Sequence, residues 1–315
     1  MIVFIVGPTG VGKTGLSIPL AKRLGGEIIS CDSMQVYKGM DIGTSKPSPL
    51  LREEIHHHLI DILEPHEDYS AAEFSRRARL TIEEIHLRDH LPIIVGGSGL
   101  YVRALVDGLF DDSPANWDLR FEIEREAQLY GKSYVYKKLE TVDPQTASRL
   151  HPEDLRRVVR ALEVYEKSRL PISSHHKMTK GIEAEFPIFF IGLWRERQEL
   201  IKRIEERVEE MFNSGLVDEV HSLMADGKMG RMSSHALGYK EVAGYLRGEY
   251  PLETAMYLVK RNTKWFAKRQ MTWFKKDNRI NWIKLNGGPG DWERVLNEMA
   301  ELTGGDSGTC HTCNS

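Results

Sequence analysis

Near its start the chain reads Gly7-Pro8-Thr9-Gly10-Val11-Gly12-Lys13-Thr14. This octet has the phosphate-loop (P-loop) spacing, in which a glycine is followed by any four residues and then by Gly-Lys-Ser/Thr. The apolar run 1–6 before it predicts a buried parallel strand, and Leu16, Leu20 and Leu24 after it recur at helical spacing. A glycine-rich loop between a strand and a helix is the setting in which this motif holds phosphates.

Each part of the octet has chemistry that suits a polyphosphate. The glycines let backbone N–H groups turn toward an anion, and the start of the following helix adds partial positive charge. Lys13 brings a full charge to the phosphates, and the Thr14 hydroxyl can hold Mg²⁺. We therefore predict that residues 7–14 bind a polyphosphate. The pattern indicates neither which one nor whether a phosphate is transferred or leaves, and a glycine turn without a ligand is the alternative.

Composition limits the class of protein. A length of 315 residues suggests about two domains, and 41% hydrophobic residues are enough for packed cores. The net charge of −3 creates no overall attraction to nucleic acid or membrane, so such binding needs a local patch. The 3 cysteines are too few for a disulfide scaffold. Because no apolar run approaches the roughly 20 residues that span a bilayer, and a strand is predicted at once, we expect a cytoplasmic protein without signal peptide or membrane contact.

Strands and helices alternate in the first third of the chain. Strands are predicted at 27–31 and 92–95, and a capping box at 70–73 opens a helix between them. Residues 38–58 are predicted to be irregular. The alternation predicts an α/β fold built on a doubly wound parallel sheet.

The pattern changes after about residue 112. Charged amphipathic helices without an evident strand predict a helical insertion domain, and a strand at 187–193 returns to the sheet, followed by helices and a last strand at 281–283. The predicted organisation is a P-loop core of 1–112 and 183–302, an insertion of 113–182 and a disordered tail of 303–315.

Polar residues follow the predicted strands where ligands bind in open parallel sheets. Asp32 is the best candidate for a general base near the reacting end of a polyphosphate; a Mg²⁺ ligand and a turn-capping aspartate are the alternatives. Ser98 in the glycine loop 96–99 offers a hydroxyl or a plain helix cap. Arg195 also comes directly after a strand, although the rest of 195–210 is predicted to be mostly a solvated helix face.

The stretch 260–276 is basic and aromatic and contains no acid. Its lysines and arginines can contact RNA phosphates, and Trp265 and Trp273 can stack on bases. The alternative is a helix that buries Trp265, Phe266, Trp273 and Phe274 and leaves its charges in solvent. A smaller basic cluster lies in the insertion, at Arg156, Arg157 and Arg160.

Two further patterns suggest metal only weakly. Adjacent histidines do not converge naturally on one ion, so His56-His57-His58 is predicted to pack as part of a loop. Cys310-His311-Thr312-Cys313 has half of a zinc pattern without a second pair, so a free tail is predicted.

The sequence resembles the bacterial tRNA dimethylallyltransferases, also called tRNA isopentenyltransferases, from about residue 3 to 285. Besides the octet, the resemblance rests on Asp32–Thr44, His57–Asp61, Gly96–Tyr101, His151–Asp154 with Arg157 and Arg160–Glu163, Leu237–Tyr239 and Ala267–Trp273. It implies that N6 of adenine 37 beside the tRNA anticodon attacks C1 of dimethylallyl diphosphate, and that pyrophosphate leaves with help from Mg²⁺. The implied partners are the tRNA anticodon stem-loop and dimethylallyl diphosphate, and a monomer is expected.

The resemblance also implies roles for particular residues. Asp32 is the base or acceptor on the N6 amine, Thr9, Lys13 and Thr14 hold the diphosphate and Mg²⁺, and Arg195 contacts the diphosphate. Ser98 stands where the family usually has Thr, Met34 where many members have Arg, and His235 where Arg is common. The implied tRNA contacts are Asp32, Ser33, Met34, Gln35, Ser98, Arg120, Arg156, Arg157, Arg160, His235, Gly238, Tyr239, Lys240, Lys268, Arg269 and Gln270.

Three other functions share the P-loop. An enzyme that prenylates free adenine nucleotide would not need the insertion or the basic helix, and a small-molecule kinase usually carries an Arg-rich lid instead of a long insertion. A non-enzymatic nucleotide-binding switch is the third alternative.

Overall fold

The computed structural model describes residues 1–108, 115–175, 180–286, 288 and 290–302. The predicted boundary at 112 and the predicted tail 303–315, with its two cysteines, lie outside the described residues. The described chain divides into two compact units, Met1–Val102 with Phe186–Ser315, and Arg103–Glu185. We call them the core unit and the inserted unit.

The core unit is built on one sheet of six parallel strands in the order β3-β2-β4-β1-β5-β6. The strands are β1 (Ile2–Val6), β2 (Gly26–Cys31), β3 (His57–His58), β4 (Leu91–Gly96), β5 (Ile188–Trp194) and β6 (Ile280–Lys284). Every residue of β1 is buried, as expected for the middle of a sheet that is covered on both faces. The α/β fold with a doubly wound parallel sheet is thus confirmed.

Helices connect the strands of the core unit and follow the last of them. They are α1 (Lys13–Leu24), α2 (Pro49–Glu54), α3 (Ala71–Leu87), α4 (Gly99–Val106), which runs into the inserted unit, α10 (Arg197–Asn213), α11 (Leu216–Ala225), α12 (Tyr239–Leu246), α13 (Leu252–Phe274) and α14 (Asp291–Leu302). In α3 the Ser70 hydroxyl accepts a hydrogen bond from Glu73 N, so the predicted cap is present. The prediction that 38–58 is irregular is wrong for α2 and β3, because such short elements show no periodicity.

All regular secondary structure among the described residues of the inserted unit is helical. Its helices are α5 (Trp117–Tyr130), α6 (Lys132–Val142), α7 (Pro144–Ala147), α8 (Leu155–Ser168) and α9 (Ile172–His175). It has its own core, in which Val135, Leu139 and Val158 are fully buried. Among the described residues of the whole chain, no helix combines the length and apolar character needed to cross a membrane.

Candidate active site

The P-loop connects β1 to α1 and lies close against β5 and α10. Gly7 has a φ of +149°, and a Cβ there would lie 2.7 Å from the Leu193 carbonyl oxygen. Gly10 has a φ of +79°, and a Cβ would lie 2.9 Å from Cγ1 of Ile204 in α10. Both positions therefore require glycine, the first because β5 lies against it and the second because α10 does.

The side chain of Lys13 reaches back from the start of α1 to the loop. Its Nζ donates hydrogen bonds of 3.0 Å to the carbonyl oxygens of Gly7 and Pro8. Loss of hydration around the ammonium, and then the nearby charge of Arg207, lower its pKa to about 8, against the opposing effect of Asp32. An anion in the loop would stabilise the charged form of Lys13, which burial and the charge of Arg207 destabilise.

Three arginines surround the P-loop from the side of α10. Arg195 is buried after β5, and its Nε donates to Val11 O at 2.7 Å while its Nη1 pairs with Glu199. Arg203 Nε donates to Gly10 O at 3.1 Å, and Arg207 Nη1 donates to the Thr9 hydroxyl at 3.1 Å. The loop is therefore lined by more positive charge than Lys13 alone supplies.

The position of Arg195 at a strand end is as predicted, and most of 195–210 is exposed or half-buried as predicted, but one face of α10 packs against the P-loop. Ile204 and Val208 are buried, and Arg203 and Arg207 lie one helical turn apart beside them. The sequence contained a signal that was missed: apolar residues four apart with arginines directly before them.

Asp32 follows β2 at the same edge of the sheet. Its Oδ1 accepts hydrogen bonds from the backbone N of Met34 at 2.8 Å and of Gln35 at 3.3 Å. Within the described part of the chain its Oδ2 has no hydrogen-bond partner. The carboxylate also acts electrostatically on Lys13 and Arg207, opposing the decrease of both pKa values. Asp32 thus caps a turn with one oxygen and keeps the other available beside the cationic loop.

Ser98 lies in the glycine loop between β4 and α4. Its carbonyl oxygen accepts from Tyr101 N and Val102 N, while its hydroxyl has no partner among the described residues. A Cβ on Gly99 would lie 2.2 Å from Cδ1 of Trp273, so α13 packs directly on this loop. The Ser98 hydroxyl is not used as a helix cap, which leaves it for a ligand.

Gln270 connects the two glycine loops. Its Oε1 accepts from Thr9 N at 2.8 Å, and its Nε2 donates to Gly97 O at 2.9 Å. The residue is only 7% exposed. In this arrangement its amide is occupied by protein and not available for the direct tRNA contact expected of it.

Two other predicted tRNA contacts also hold the protein together. Gln35 accepts from Ser30 Oγ at 2.9 Å and donates to Thr44 O at 3.3 Å. Tyr239 is fully buried, and its hydroxyl donates to Glu219 Oε1 at 2.5 Å. Ser33 and Met34 are half-buried in the turn that Asp32 caps, and Gly238 is buried before α12. A direct contact between the Tyr239 ring and RNA is not available, whereas the neighbouring His235 and Lys240 are exposed.

The surface of α13 is aromatic and basic, and we call the exposed set Trp265, Lys268, Arg269, Thr272, Trp273 and Lys276 the α13 surface. Trp265 is 52% exposed and Trp273 is 40% exposed. These six residues line an open concavity of about 450 Å³. The alternative in which the helix buries its aromatic residues is wrong for both tryptophans and for Phe266, and correct for Phe274.

The lysines of α13 differ in what they contact. Lys260 pairs with Glu209 at 2.5 Å and Lys264 with Glu205 at 2.8 Å, both across to α10. Lys268 has no acidic partner among the residues that the structure describes. The unpaired charge therefore lies at the carboxyl-terminal half of the helix, beside the tryptophans.

In the inserted unit the arginines divide in a similar way. Arg156 and Arg157 are exposed on α8, and Arg157 pairs with Asp154 at 2.9 Å. Arg120 and Arg160 both donate to the fully buried Glu163, at 2.8 and 2.6 Å. Burial by itself raises the pKa of Glu163, but the hydrogen bonds from these two arginines outweigh it and lower the pKa. Arg120 and Arg160 are thus held by a structural role in addition to the tRNA contact expected of them.

One group of side chains in the described residues could hold a metal ion: Glu27, His56 and His58. The prediction that the three histidines pack as part of a loop is wrong for His57 and His58, because these two residues form β3. His58 belongs to β3, and Nε2 of His58 lies 2.6 Å from Glu27 Oε2. The Cys310–Cys313 pattern lies outside the described residues.

Together these features define a class: a P-loop α/β protein with a cationic loop, a carboxylate next to it and an exposed aromatic-basic helix. A family model described as IPP transferase matches residues 35–277. The chain belongs to the IPP transferase family, which confirms the resemblance seen in the sequence.

Individual relatives agree. The chain is 45% identical to a tRNA dimethylallyltransferase of Halothermothrix orenii over 96% of this chain and 92% of that protein. It is similar to the crystal structure of the full-length tRNA isopentenylpyrophosphate transferase of Bacillus halodurans, with a TM-score of 0.71, 41% identity and coverage of 96% of both chains. A eukaryotic dimethylallyltransferase acting on tRNA gives a TM-score of 0.80 at 28% identity, covering 96% of this chain and 78% of that one.

Proposed function

We propose that this protein transfers the dimethylallyl group of dimethylallyl diphosphate to N6 of adenine 37, beside the anticodon of tRNA, and releases diphosphate. The observation that carries the proposal is the free oxygen of Asp32 at the sheet edge that also holds the cationic P-loop. Family membership supports this activity over a small-molecule kinase or a free-nucleotide prenyltransferase.

The diphosphate binds in the P-loop. Lys13 Nζ now donates to two loop carbonyls, and it would exchange these for phosphate oxygens. Arg195, Arg203 and Arg207 hold the loop and add positive charge around it. These charges stabilise the negative charge that develops on the leaving group, so binding in this loop lowers the barrier to C–O cleavage.

The transfer is a substitution at C1. The N6 lone pair of adenine forms the new N–C bond, the C1–O bond breaks, and its electron pair leaves with the diphosphate. The proton of N6 passes to Oδ2 of Asp32, the oxygen without a partner. Because the N6 lone pair is delocalised into the ring, alignment by Asp32 and an electrophile held in line are both needed.

Mg²⁺ fits the oxygen donors of the loop. The Thr14 hydroxyl has no hydrogen-bond partner among the described residues and follows Lys13 at the start of α1, which suits a hard cation that prefers oxygen. Bound there, Mg²⁺ would supply further neutralisation of the diphosphate charge. Thr9 and Ser98 contribute hydroxyls at the same edge.

Each unit offers its own basic surface to RNA. The α13 surface combines unpaired cations with tryptophans that suit unstacked bases, and Arg156 and Arg157 project from α8. Adenine 37 must leave the anticodon stack, which costs a few kcal/mol that backbone contacts can offset. We propose that the partner is the anticodon stem-loop, and that the protein acts as a monomer in the cytoplasm, where tRNA is available.

The test is a labelling assay with alternative acceptors. Labelled dimethylallyl diphosphate is incubated with the protein and unmodified tRNA or free AMP, and a parallel reaction contains ATP with metabolites. Label on tRNA, located at adenine 37 by mass mapping of RNA fragments, is expected. Label on AMP but not on tRNA would contradict the proposal, and phosphate transfer from ATP would indicate a kinase.

A further inference from the structure

A compact histidine-glutamate cluster lies far from the proposed reaction. Glu27 is near the amino end of β2, whereas Asp32 follows its carboxyl end. At about 3.3 Å per residue, the backbone positions of Glu27 and Asp32 are separated by roughly 16 Å along the strand. The cluster is therefore not part of the diphosphate site, and the proposed transfer does not use it.

The geometry of the cluster follows from extended backbone. Alternate residues of a strand point to the same side, so His56 and His58 face together while His57 faces away. The rings of His56 and His58 lie 4.2 Å apart between centroids. His57 instead bonds through Nδ1 to Ile55 O at 2.7 Å.

The three ligand atoms converge. One ligand atom each from Glu27, His56 and His58 lies within 4.8 Å of the others. Glu27 is buried, His58 is half-buried and His56 is exposed, so an ion could reach the group from solvent on the side of His56. Two imidazoles and one carboxylate are the ligand set that divalent zinc uses, whereas Mg²⁺ prefers oxygen alone.

We propose that Glu27, His56 and His58 form a binding site for a divalent zinc-like transition ion that ties the edge strand β3 to β2. The ion would lie between Glu27 Oε2 and the two imidazoles. The proton that His58 Nε2 now shares with that oxygen would move to Nδ1, so that the ring binds the ion as a neutral imidazole. Because β3 has only two residues, a metal bond to its neighbour would hold the end of the sheet more firmly than the short ladder does.

Neighbouring groups orient the carboxylate. His90 Nδ1 lies 2.7 Å from Glu27 Oε1, and Arg88 bonds both oxygens at 2.9 and 2.8 Å. Arg88 is the competing cation, but its side chain is 45% exposed and can move toward solvent while its bond to Oε1 remains.

The experiment uses the full chain with Cys310 and Cys313 changed to serine, because thiolates of that pattern bind zinc themselves. Zn²⁺ alone is titrated by calorimetry, and Co²⁺ serves as the visible probe. We expect one ion per chain, a Co²⁺ spectrum without thiolate charge-transfer bands, and a rise in Tm of about 5 °C at a hundredfold excess over Kd.

Variants separate this site from adventitious binding. H56A changes an exposed residue and leaves the present hydrogen bonds of Glu27 intact, so it tests the site even if H58A does not fold. H56A and H58A are each expected to weaken zinc binding at least tenfold and to remove the rise in Tm. The matched control H57A is expected to keep the zinc affinity and the rise in Tm. Absence of binding, or equal binding by H56A and H57A, would overturn the proposal. R88Q is expected to bind several-fold more tightly, and weaker binding by that variant would contradict the position assigned to the ion.

Discussion

Replacing Asp32 by asparagine separates its two roles. The side-chain oxygen of Asn can still accept from the backbone N of Met34 and Gln35, as Oδ1 does now, so the turn after β2 is kept. What is lost is the basic oxygen, because the amide NH₂ that takes the place of Oδ2 cannot accept a proton. Asp32→Ala removes both functions and is the matched comparison.

The expected magnitudes differ between the two variants. General-base catalysis contributes about 10²–10⁴ in rate, so D32N should lose that much of the single-turnover rate. Loss of a turn cap costs about 1 kcal/mol, which corresponds to a Tm decrease of roughly 2–4 °C for a unit of this size. D32A should therefore show the same loss of rate together with the lower Tm, and D32N should melt close to the unmodified protein.

Single-turnover transfer of label to tRNA, with enzyme in excess, measures the chemical step. Filter binding in parallel measures tRNA affinity, which both variants should keep within a few-fold because the phosphate contacts lie elsewhere. If D32N transferred the label within threefold of the unmodified rate, Asp32 would not be the base. If only D32A were inactive, the turn and not the carboxylate would be what the reaction needs.

Three further predictions follow from the P-loop and α13. The pKa of Lys13, about 8, predicts that pyrophosphate affinity falls about tenfold between pH 7 and pH 9, because the ammonium loses its charge above its pKa. If the ratio of the pyrophosphate affinity of the unmodified protein to that of K13M stayed constant with pH, this prediction would be refuted. Replacing Lys268 and Arg269 by alanine should weaken tRNA binding and reduce the slope of log binding constant against log salt concentration by about 2. K264A should change the binding constant and this slope little, because Lys264 is already paired with Glu205. Equal effects of the two changes would contradict the assignment of the α13 surface to RNA binding. Q270A should lower stability by about 1–3 kcal/mol and raise KM for dimethylallyl diphosphate, as Thr9 N and Gly97 O lose their partner; unchanged melting and KM would show that the two loops do not depend on it.

Local patterns were sufficient for the parts of the fold that carry a strong period or a fixed motif. The P-loop, the strands before Asp32 and Ser98, and the capped helix α3 are where the sequence indicated, because each rests on neighbours within a few residues. The short edge strand β3 and α2 were missed because two to six residues show no period.

Side-chain environments were harder to predict. The sequence left open whether Trp265 and Trp273 are buried in the protein or exposed for stacking on bases, because a helical period does not indicate which face meets the protein and which meets solvent. The family resemblance implied that Gln270 contacts tRNA together with Lys268 and Arg269, yet its side chain is buried whereas those two are exposed. Residues one or two apart on a helix do not share a face, and only the packing of α13 on the glycine loop shows which of them is inside.

What the sequence determined by itself is the chemistry at the start of the chain. The octet 7–14 predicts an anion site without reference to the rest of the chain, because its glycines, its lysine and the following helix are neighbours in sequence. The tertiary structure decided which distant groups complete that site: Arg207 from α10, Gln270 from α13, and the single oxygen of Asp32 that remains free. These contacts join residues that lie up to 261 positions apart, and such pairing depends on how helices pack on the sheet.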